Sequence, residues 1–425
     1  MGTLRQYLIP LAAAAVSCAF TAPLPAQDTA ELLNRMKAME DRIKSLEAEV
    51  QSLKSQQAAV TAALESPGPP QAAPPAVAAG EQAPAPVLGG AGGAAAKALN
   101  PDISVIGDFL GAAGFGGPRG APSLEMHESE VGFQEIIDPY ARADFFISFG
   151  EQGVNLEEGF LTFTSLPAGL QLKVGKMRAA FGVVNTLHNH VLPWTDRPLV
   201  TQNMVGGEDG IDDAGLSLSR ILPAPKGIFL EGTAQLYRGD SDGIFARQQR
   251  SDVSTVEHLR AYRDLAESTN LTLGASYSRG HSFWGNGSNQ LYGVDATLRW
   301  KPLRRAIYHS FIARSEFIWS RTAVSPGQVP GVHFTHFEKP FGYYVSSDYQ
   351  FARRWFAGAR FDRSARAANQ RLEDTGGSLV LTYWPSEFSQ IRGQLRRTHY
   401  GEDYFANEFL LQFQFSMGAH GAHPF

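Results

Sequence analysis

In the run Glu408-Phe409-Leu410-Leu411-Gln412-Phe413-Gln414-Phe415-Ser416-Met417, Phe409, Leu411, Phe413, Phe415 and Met417 fall on one side, and Gln412, Gln414 and Ser416 on the other. A period of two with one apolar and one polar face marks a strand, because successive side chains of extended backbone point to opposite faces. The pattern recurs upstream. Ala141, Ala143, Phe145, Ile147 and Phe149 oppose Arg142, Asp144 and Ser148; Leu271, Leu273, Ala275 and Tyr277 oppose Thr272, Gly274, Ser276 and Ser278. Sixteen such segments of about ten residues are read between residues 100 and 425. They start near Ile103, Glu128, Ala141, Leu156, Leu170, Asp213, Ile228 and Thr255, then near Leu271, Leu291, Ser310, Phe341, Trp355, Ser378, Ile391 and Glu408. An apolar face on every strand is what a lipid-embedded barrel requires, so the fold class is an all-β, sixteen-stranded antiparallel transmembrane barrel.

The connections point the same way. Every second one is short: Asp138-Pro139, Pro167-Ala168-Gly169, Ser268-Thr269, Ala352-Arg353 and Pro385-Ser386-Glu387, with slightly longer ones around Pro223 and Leu303. The intervening ones read as loops of about ten to twenty residues rich in Gly, Ser, Asn, Asp and Arg, an alternation typical of outer-membrane barrels. Tyr140, Trp300, Tyr349, Phe351, Trp355, Tyr383 and Trp384 collect beside the short turns, as an interfacial aromatic girdle would. A soluble β-sandwich or β-solenoid is the rival. A sandwich needs no alternation of short and long loops, and a solenoid needs an internal repeat that is not found. A gated receptor needs about 22 strands and a plug, for which the chain leaves no room.

Composition closes off other classes. The 425 residues are 43% hydrophobic and 19% charged, with 37 basic against 42 acidic side chains. That balance gives no reason to expect a nucleic-acid partner. Past residue 26 no apolar run is long enough for a spanning helix. The single cysteine, Cys18, lies in a segment expected to be removed, which excludes disulfide scaffolds, Cys-ligated zinc and thiol catalysis in the mature chain. There is no Gly-x-Ser-x-Gly elbow, no His-Glu-x-x-His and no phosphate-cradling loop, so neither an enzyme nor a resident cofactor is expected.

Three devices precede the strands. Residues 1–26 read as a secretory signal, with Arg5 before an apolar stretch and a cut after Ala26; lipidation at Cys18 is the rival reading. Residues 28–64 follow a heptad: Met36, Ile43, Val50 and Leu64 at a, and Leu32, Met39, Leu46, Leu53 and Val60 at d. The g-to-e pairs Arg35–Glu40, Arg42–Glu47 and Glu49–Lys54 suit a parallel coiled coil. Ile43 and Val50 at a lean towards a dimer, a preference that Met36 and Gln57 weaken. The rival is one amphipathic helix lying on the barrel base. Residues 65–99 are Pro, Ala and Gly with almost no charge, a tether able to reach on the order of 100 Å. Residues 100–425 are the barrel.

The block Lys173-Val174-Gly175-Lys176-Met177-Arg178-Ala179-Ala180-Phe181-Gly182, followed by Leu187-His188-Asn189-His190 and Trp194-Thr195-Asp196-Arg197-Pro198, resembles the porin-like outer-membrane proteins grouped with the phosphate-selective porins. Asn100-Pro101-Asp102-Ile103-Ser104 and the terminal Phe425 fit as well, and the coiled-coil preface is similar to that of some sugar and dicarboxylate porins. The resemblance implies a sixteen-stranded, trimeric, water-filled channel. The lysine ladder of the phosphate-specific members is missing: past residue 100 the lysines are Lys173, Lys176, Lys226, Lys301 and Lys339.

The longest loop, from about Lys176 to Asp212, is the candidate constriction, since in general porins the loop at this place folds inward. It carries Lys176, Arg178, His188, His190, Asp196, Arg197, Glu208 and Asp209. Arg299, Arg314, Arg360, Arg392 and Arg396 form an expected basic wall facing the lumen, suited to carboxylate or phosphate groups. Asp144, Glu158, Glu231, Asp295, Glu316, Asp348 and Asp362 share that lumen, so local ion pairing and solute binding are open as equal readings of the wall. His188 and His190 invite a zinc reading, for which Asp196 or Glu208 would be the third ligand.

The functional expectation is an outer-membrane porin of a Gram-negative bacterium that passes small hydrophilic solutes passively, with a mild preference for anions. Its partners would be outer-membrane lipid, copies of itself as a homotrimer, and the cell wall through a periplasmic N-terminal segment. The alternatives are a structural anchor with a closed or narrow barrel, and a zinc-linked uptake or sensing protein.

Overall fold

The protein's structure, a computed structural model, describes residues 101–116, 121–150, 153–326 and 333–418, together with Lys37 and Lys44 in helical conformation. The expected signal, coiled coil and tether otherwise lie outside the described residues, as do His420, His423 and Phe425.

Sixteen long strands form one antiparallel sheet in chain order. They are β1 (Asp102–Phe115), β2 (Leu124–Asp138), β3 (Ala141–Gly150), β4 (Gly153–Leu166), β5 (Leu170–Arg178), β6 (Asp212–Leu222), β7 (Ile228–Tyr237) and β8 (Ser254–Ala266). Then follow β9 (Thr269–His281), β10 (Ser288–Trp300), β11 (Ser310–Val324), β13 (Phe341–Ala352), β14 (Trp355–Arg366), β15 (Asn369–Ser386), β16 (Ser389–Tyr400) and β17 (Tyr404–Gly418). Between β11 and β13 a three-residue strand, β12 (His336–Glu338), pairs with the far end of β11. The sheet closes on itself where β1 pairs with β17, from Ser104 opposite Gly418 to Phe115 opposite Asn407. Closure removes both sheet edges and leaves no ladder of unpaired backbone groups.

The sixteen expected segments correspond one for one to the sixteen barrel strands, and the side-chain alternation sorts them inside-out. On β17, Phe409, Phe413 and Phe415 are 45%, 41% and 37% exposed, whereas Gln412 and Gln414 are 1% and 3% exposed. Phe145, Leu218, Leu259, Val294, Val345, Phe361, Leu379 and Leu395 continue the outward apolar surface around the wall. Contiguous apolar surface of this extent is stable only against lipid or another apolar body. Among the described residues no helix is long and apolar enough to cross a membrane; the candidate spans are strands.

The turn end agrees with the sequence reading. Chain reversals occupy residues 139–140, 167–169, 223–227, 267–268, 301–309, 353–354 and 387–388. Ala168 takes a positive φ of 62°, the left-handed conformation that lets so short a connection reverse the chain. Beside these turns Trp355 stacks on Tyr383 with ring centroids 4.5 Å apart, and Tyr140, Tyr349 and Phe351 lie exposed. The loop end departs from expectation. Among the described residues 179–211 and 238–253 form long loops, whereas 367–368 and 401–403 are as short as turns. The reason is strand length: β15 alone runs 18 residues, so its Gly- and Asp-containing first half, read as loop, is ladder.

An arginine at Leu379, which faces outward opposite Ala359 in the middle of β14, should lower folding stability in phospholipid vesicles by about 2–4 kcal/mol. Urea titration of Leu379→Arg would measure it, and a variant as stable as the parent would refute a lipid-facing wall.

Candidate functional site

The loop joining β5 to β6 turns into the barrel. It contains two single-turn 3-10 segments, Val184–Thr186 and Asn189–Val191, and a short helix, α1 (Leu199–Met204). Its apolar side chains make the protein's core. Phe181, Val184, Leu192, Trp194, Val200, Met204 and Ile211 pack on the inward-facing Tyr237, Val256, Leu291, Ile318, Tyr344 and Val380 of the wall. Trp194 meets Tyr344 edge-on at 5.3 Å. The tight entry needs glycine: Gly182 has φ +61°, and a Cβ there would strike the carboxylate of Glu316 on β11.

Two side chains hold the loop's shape. Asn185 donates from Nδ2 to the carbonyls of Ala179 (2.9 Å) and Ile211 (3.1 Å) and accepts from the Ile211 N–H (2.8 Å), tying together the loop's two ends. Arg197, buried, donates to Asn189 Oδ1 (2.7 Å) and to the carbonyls of Val184 (3.1 Å) and Leu187 (2.6 Å). Burial, helped by the charge of Arg178, brings its pKa down to about 10.

The wall holds the loop in turn. Asp196 Oδ2 accepts from Arg360 Nη2 and Arg396 Nη1, each at 2.9 Å, while its Oδ1 accepts from Gln394 (2.6 Å). Burial alone would raise its pKa, but the two guanidiniums outweigh burial and hold it at about 2. Arg360 also donates to Asp362 (2.7 Å) and Arg396 to Glu408 (2.5 Å). Arg392 donates from Nη1 to the carbonyls of Leu192 (2.8 Å) and Trp194 (3.1 Å). Arg314 is paired with Asp348 at 2.6 Å. Glu316 Oε1 accepts from the N–H groups of Val183 (2.9 Å) and Val184 (2.7 Å). Arg299 differs from these: it shares the lumen face of β10 with Asp295 and Thr297, and no carboxylate pairs with it among the described residues.

Further round the wall, beyond β17 and β1, His188 and His190 meet β2 and β4. Two β-bulges aim extra side chains inward here. On β2, Asp108 pairs with Glu128 and Phe109 with Met126, leaving His127 as the inserted residue; on β4, Phe146 pairs with Glu158 and Ile147 with Leu156, leaving Glu157. His188 Nδ1 lies 2.6 Å from Glu130 and 3.0 Å from Glu157, and its Nε2 lies 2.8 Å from Glu158. Burial opposes a charge on this imidazole, but Glu130, Glu157 and Glu158 overcome it and raise its pKa well above the usual range. His190 is more deeply buried and its pKa falls to about 4, burial being the main cause.

Of the other expected constriction residues, Lys176 pairs with Asp212 (2.8 Å) and Arg178 with Glu157 (3.1 Å), at the top of β5. Arg178 also donates to the Asp209 carbonyl (2.7 Å), and Glu208 lies 3.6 Å from His127. Neither Asp196 nor Glu208 joins the histidines: the carboxylates grouped with both His188 and His190 are Glu128 and Glu130, with Glu157 and Glu158 against His188 alone. The sequence reading missed Glu128, Glu130, Glu157 and His127. Glu128 and Glu130 carry a usable signal, two acids spaced by two in a strand; the bulge that turns Glu157 inward breaks the alternation that would have found it.

Beside the loop, along the inward faces of β4 to β10, lies a cavity of about 420 Å³. Lys173, Arg178, Arg260, Arg299, Glu158, Glu231 and Asp295 supply its charge. Arg260 is paired with Glu231 at 2.5 Å, while Lys173 sits 4.4 Å over the Phe160 ring without a carboxylate partner among the described residues.

No protein-family model matches the chain. A relative from Aquifex aeolicus (strain VF5), described only as an uncharacterized protein, is 28% identical over 394 residues, covering 77% of this chain and 81% of its own. Among solved structures, OprB of Pseudomonas putida superposes with a TM-score of 0.52 at 10% identity, over 75% of this chain and 94% of that one. An anion-selective porin from Comamonas acidovorans gives 0.51 at 10% identity, over 75% and 99%. What the chain shares with these two porins is the barrel fold.

Removing Asp196 would leave Arg360 and Arg396 with only Asp362 and Glu408 and would release the loop from both guanidiniums. Asp196→Ala should therefore speed hydrogen exchange in residues 192–204 at neutral pH. In the parent protein the carboxylate's pKa is depressed, so its contribution is complete above the ordinary value of 3.8 and is lost as pH falls through about 2. Loosening of the loop in step with a pKa near 4 would contradict that anchor.

Proposed function

We propose that the chain is an outer-membrane porin of a Gram-negative bacterium, a passive diffusion channel for small hydrophilic solutes with a mild preference for anions. One observation carries the reading: the wall is apolar outside and polar inside, with Gln412 and Gln414 turned to the lumen between outward phenylalanines. That arrangement suits a water-filled path through lipid and no soluble assembly. The inturned loop is the constriction, and the free path runs beside it along β5 to β10.

The selectivity follows from pairing. Most of the expected basic wall is engaged: Arg314, Arg360 and Arg396 with carboxylates, and Arg392 with loop carbonyls. Among the described residues along the free path, Lys173 and Arg299 have no carboxylate partner, against Asp295 as the acid without an ion pair. A surplus of one positive charge favours anions weakly. The heptads of residues 28–64 would join protomers as a trimer below the membrane, and the tether would let them reach the cell wall. One feature favours the rival reading of a closed anchor, namely the apolar cluster that fills part of the lumen around Trp194 and Tyr344.

Planar-bilayer recording of the purified protein in a KCl gradient separates the two. A porin gives steady openings, a reversal potential on the anion side, and a shift to the cation side in Lys173→Glu combined with Arg299→Glu. Silence from a folded barrel refutes the channel and leaves the anchor. Deleting residues 28–98 should preserve unit conductance while abolishing the association of protomers through the coiled coil.

A further inference from the structure

Loop and wall pair at Asp196, Arg392 and Glu316, but no such pairing settles the groups where His188 and His190 meet β2. There, one ligand-type atom from each of Glu128, Glu130, His188 and His190 lies within 4.8 Å of every other. Two of these atoms are without a hydrogen-bond partner, although both side chains are buried: Glu128 Oε1, on a residue 6% exposed, and His190 Nδ1, on a residue 5% exposed. They face each other at 4.0 Å, and His190 Nδ1 lies 3.9 Å from Glu130 Oε2. A buried acceptor and a buried imidazole nitrogen left unmatched at this separation are costly unless something sits between them.

Charge and geometry agree on what that is. Four carboxylates, Glu128, Glu130, Glu157 and Glu158, crowd one guanidinium, Arg178, and the two imidazoles. The imidazole of His188 bridges Glu130 and Glu158, and the Glu128 carboxyl bonds Glu157, which leaves Glu128 Oε1 and His190 Nδ1 unaccounted for. Two imidazole nitrogens and two carboxylate oxygens form the donor set of a borderline divalent transition ion. Calcium or magnesium would call for oxygen ligands throughout, and a soft monovalent ion for sulfur. A tetrahedral sphere with bonds of about 2.0–2.1 Å spaces its ligand atoms by about 3.4 Å, so the 4.0 and 3.9 Å separations at His190 must shorten while the 2.6 Å contact of His188 Nδ1 with Glu130 opens. The outer sphere is in place as well, because Glu158 Oε2 lies 2.8 Å from His188 Nε2, the carboxylate–histidine relation that orients a metal-bound ring.

We propose that Glu128, Glu130, His188 and His190 bind one divalent transition-metal ion of the Zn²⁺ type, which staples the inturned loop to β2. The ion is structural: it cross-links loop and wall at β2, a second attachment beside the Asp196 anchor on β14 and β16. This site does not depend on the channel reading, since it would serve a closed barrel equally well.

Titration of the full-length, detergent-solubilised barrel, stripped with chelator, with Zn²⁺ alone should show one ion bound per chain. Glu128→Gln keeps the side chain's size and His190→Ala removes a ligand; each should weaken binding at least tenfold, and Glu158→Gln about 10–100-fold through the outer sphere. His336→Ala, on β12 beside Glu338, should leave binding unchanged. Co²⁺ alone should give the visible absorption of a four-coordinate site, absent in His190→Ala. Circular dichroism and heat-modifiable gel mobility would establish that each variant is folded. Failure of the folded parent to take up stoichiometric Zn²⁺ overturns the proposal, as does binding that survives Glu128→Gln and His190→Ala but disappears when His420 and His423 are removed. Because binding is read without any current, silence in bilayers and absence of metal are distinguishable results.

Discussion

Charge enclosed by a wall of strands must be cancelled within a few ångströms, and the rest of this structure depends on how that is done. The barrel has apolar residues outside, so its polar residues accumulate inside, where water is limited and an unpaired charge is expensive. The wall alone does not satisfy them. Arg360 and Arg396 have Asp362 and Glu408 on their own or neighbouring strands, yet both also reach for Asp196, a side chain delivered by the loop. Glu316, which otherwise accepts from the Tyr344 hydroxyl on the wall, caps the N–H groups of Val183 and Val184. Loop and wall are complementary charge distributions, each incomplete without the other, and this complementarity rather than loop propensity fixes where the chain between β5 and β6 lies.

The same logic relocates the hydrophobic core. In an ordinary domain the core lies between packed layers of secondary structure. Here the outward strand faces are unavailable for it, and the buried apolar cluster forms instead between the loop and inward residues such as Tyr237, Leu291, Ile318 and Tyr344. These four interrupt an otherwise polar lumen, and they mark the wall positions that the loop covers. The part of the wall they leave free, lined by Lys173, Glu231, Thr233, Asp295 and Arg299 nearer the turn ends of β5, β7 and β10, remains polar. Apolar residues facing inward therefore map the closed part of the lumen and polar ones the open part.

How much of this was legible in the sequence differs by level. The strands were, because alternation survives in Phe409 to Met417 and in Ala141 to Phe149 without reference to any partner. Loop lengths were not: Asn369 to Gly377 has the composition of a loop, and only pairing with β14 and β16 makes it strand. The basic wall was visible as residues but not as chemistry, since nothing in the local sequence says that Asp196 lies between Arg360 and Arg396. The cluster around His190 was half visible. Its loop members stood out, whereas Glu157 reaches the lumen through a bulge, a feature of two strands in register that no single segment records.

The distance along the chain between partners has a consequence for the order of assembly. Asp196 is fastened by residues 164 and 200 positions further on, and the wall itself closes only when β17 meets β1. Contacts this remote in sequence cost the most loop-closure entropy and form late. Until the wall has closed, the segment from Ala179 to Ile211 has neither a lumen to enter nor its full set of counter-ions to meet. Its tryptophan, methionine and valines are then a sticky surface in search of a partner. The loop that completes the interior is thus also the segment most in need of chaperoning before the last strand arrives.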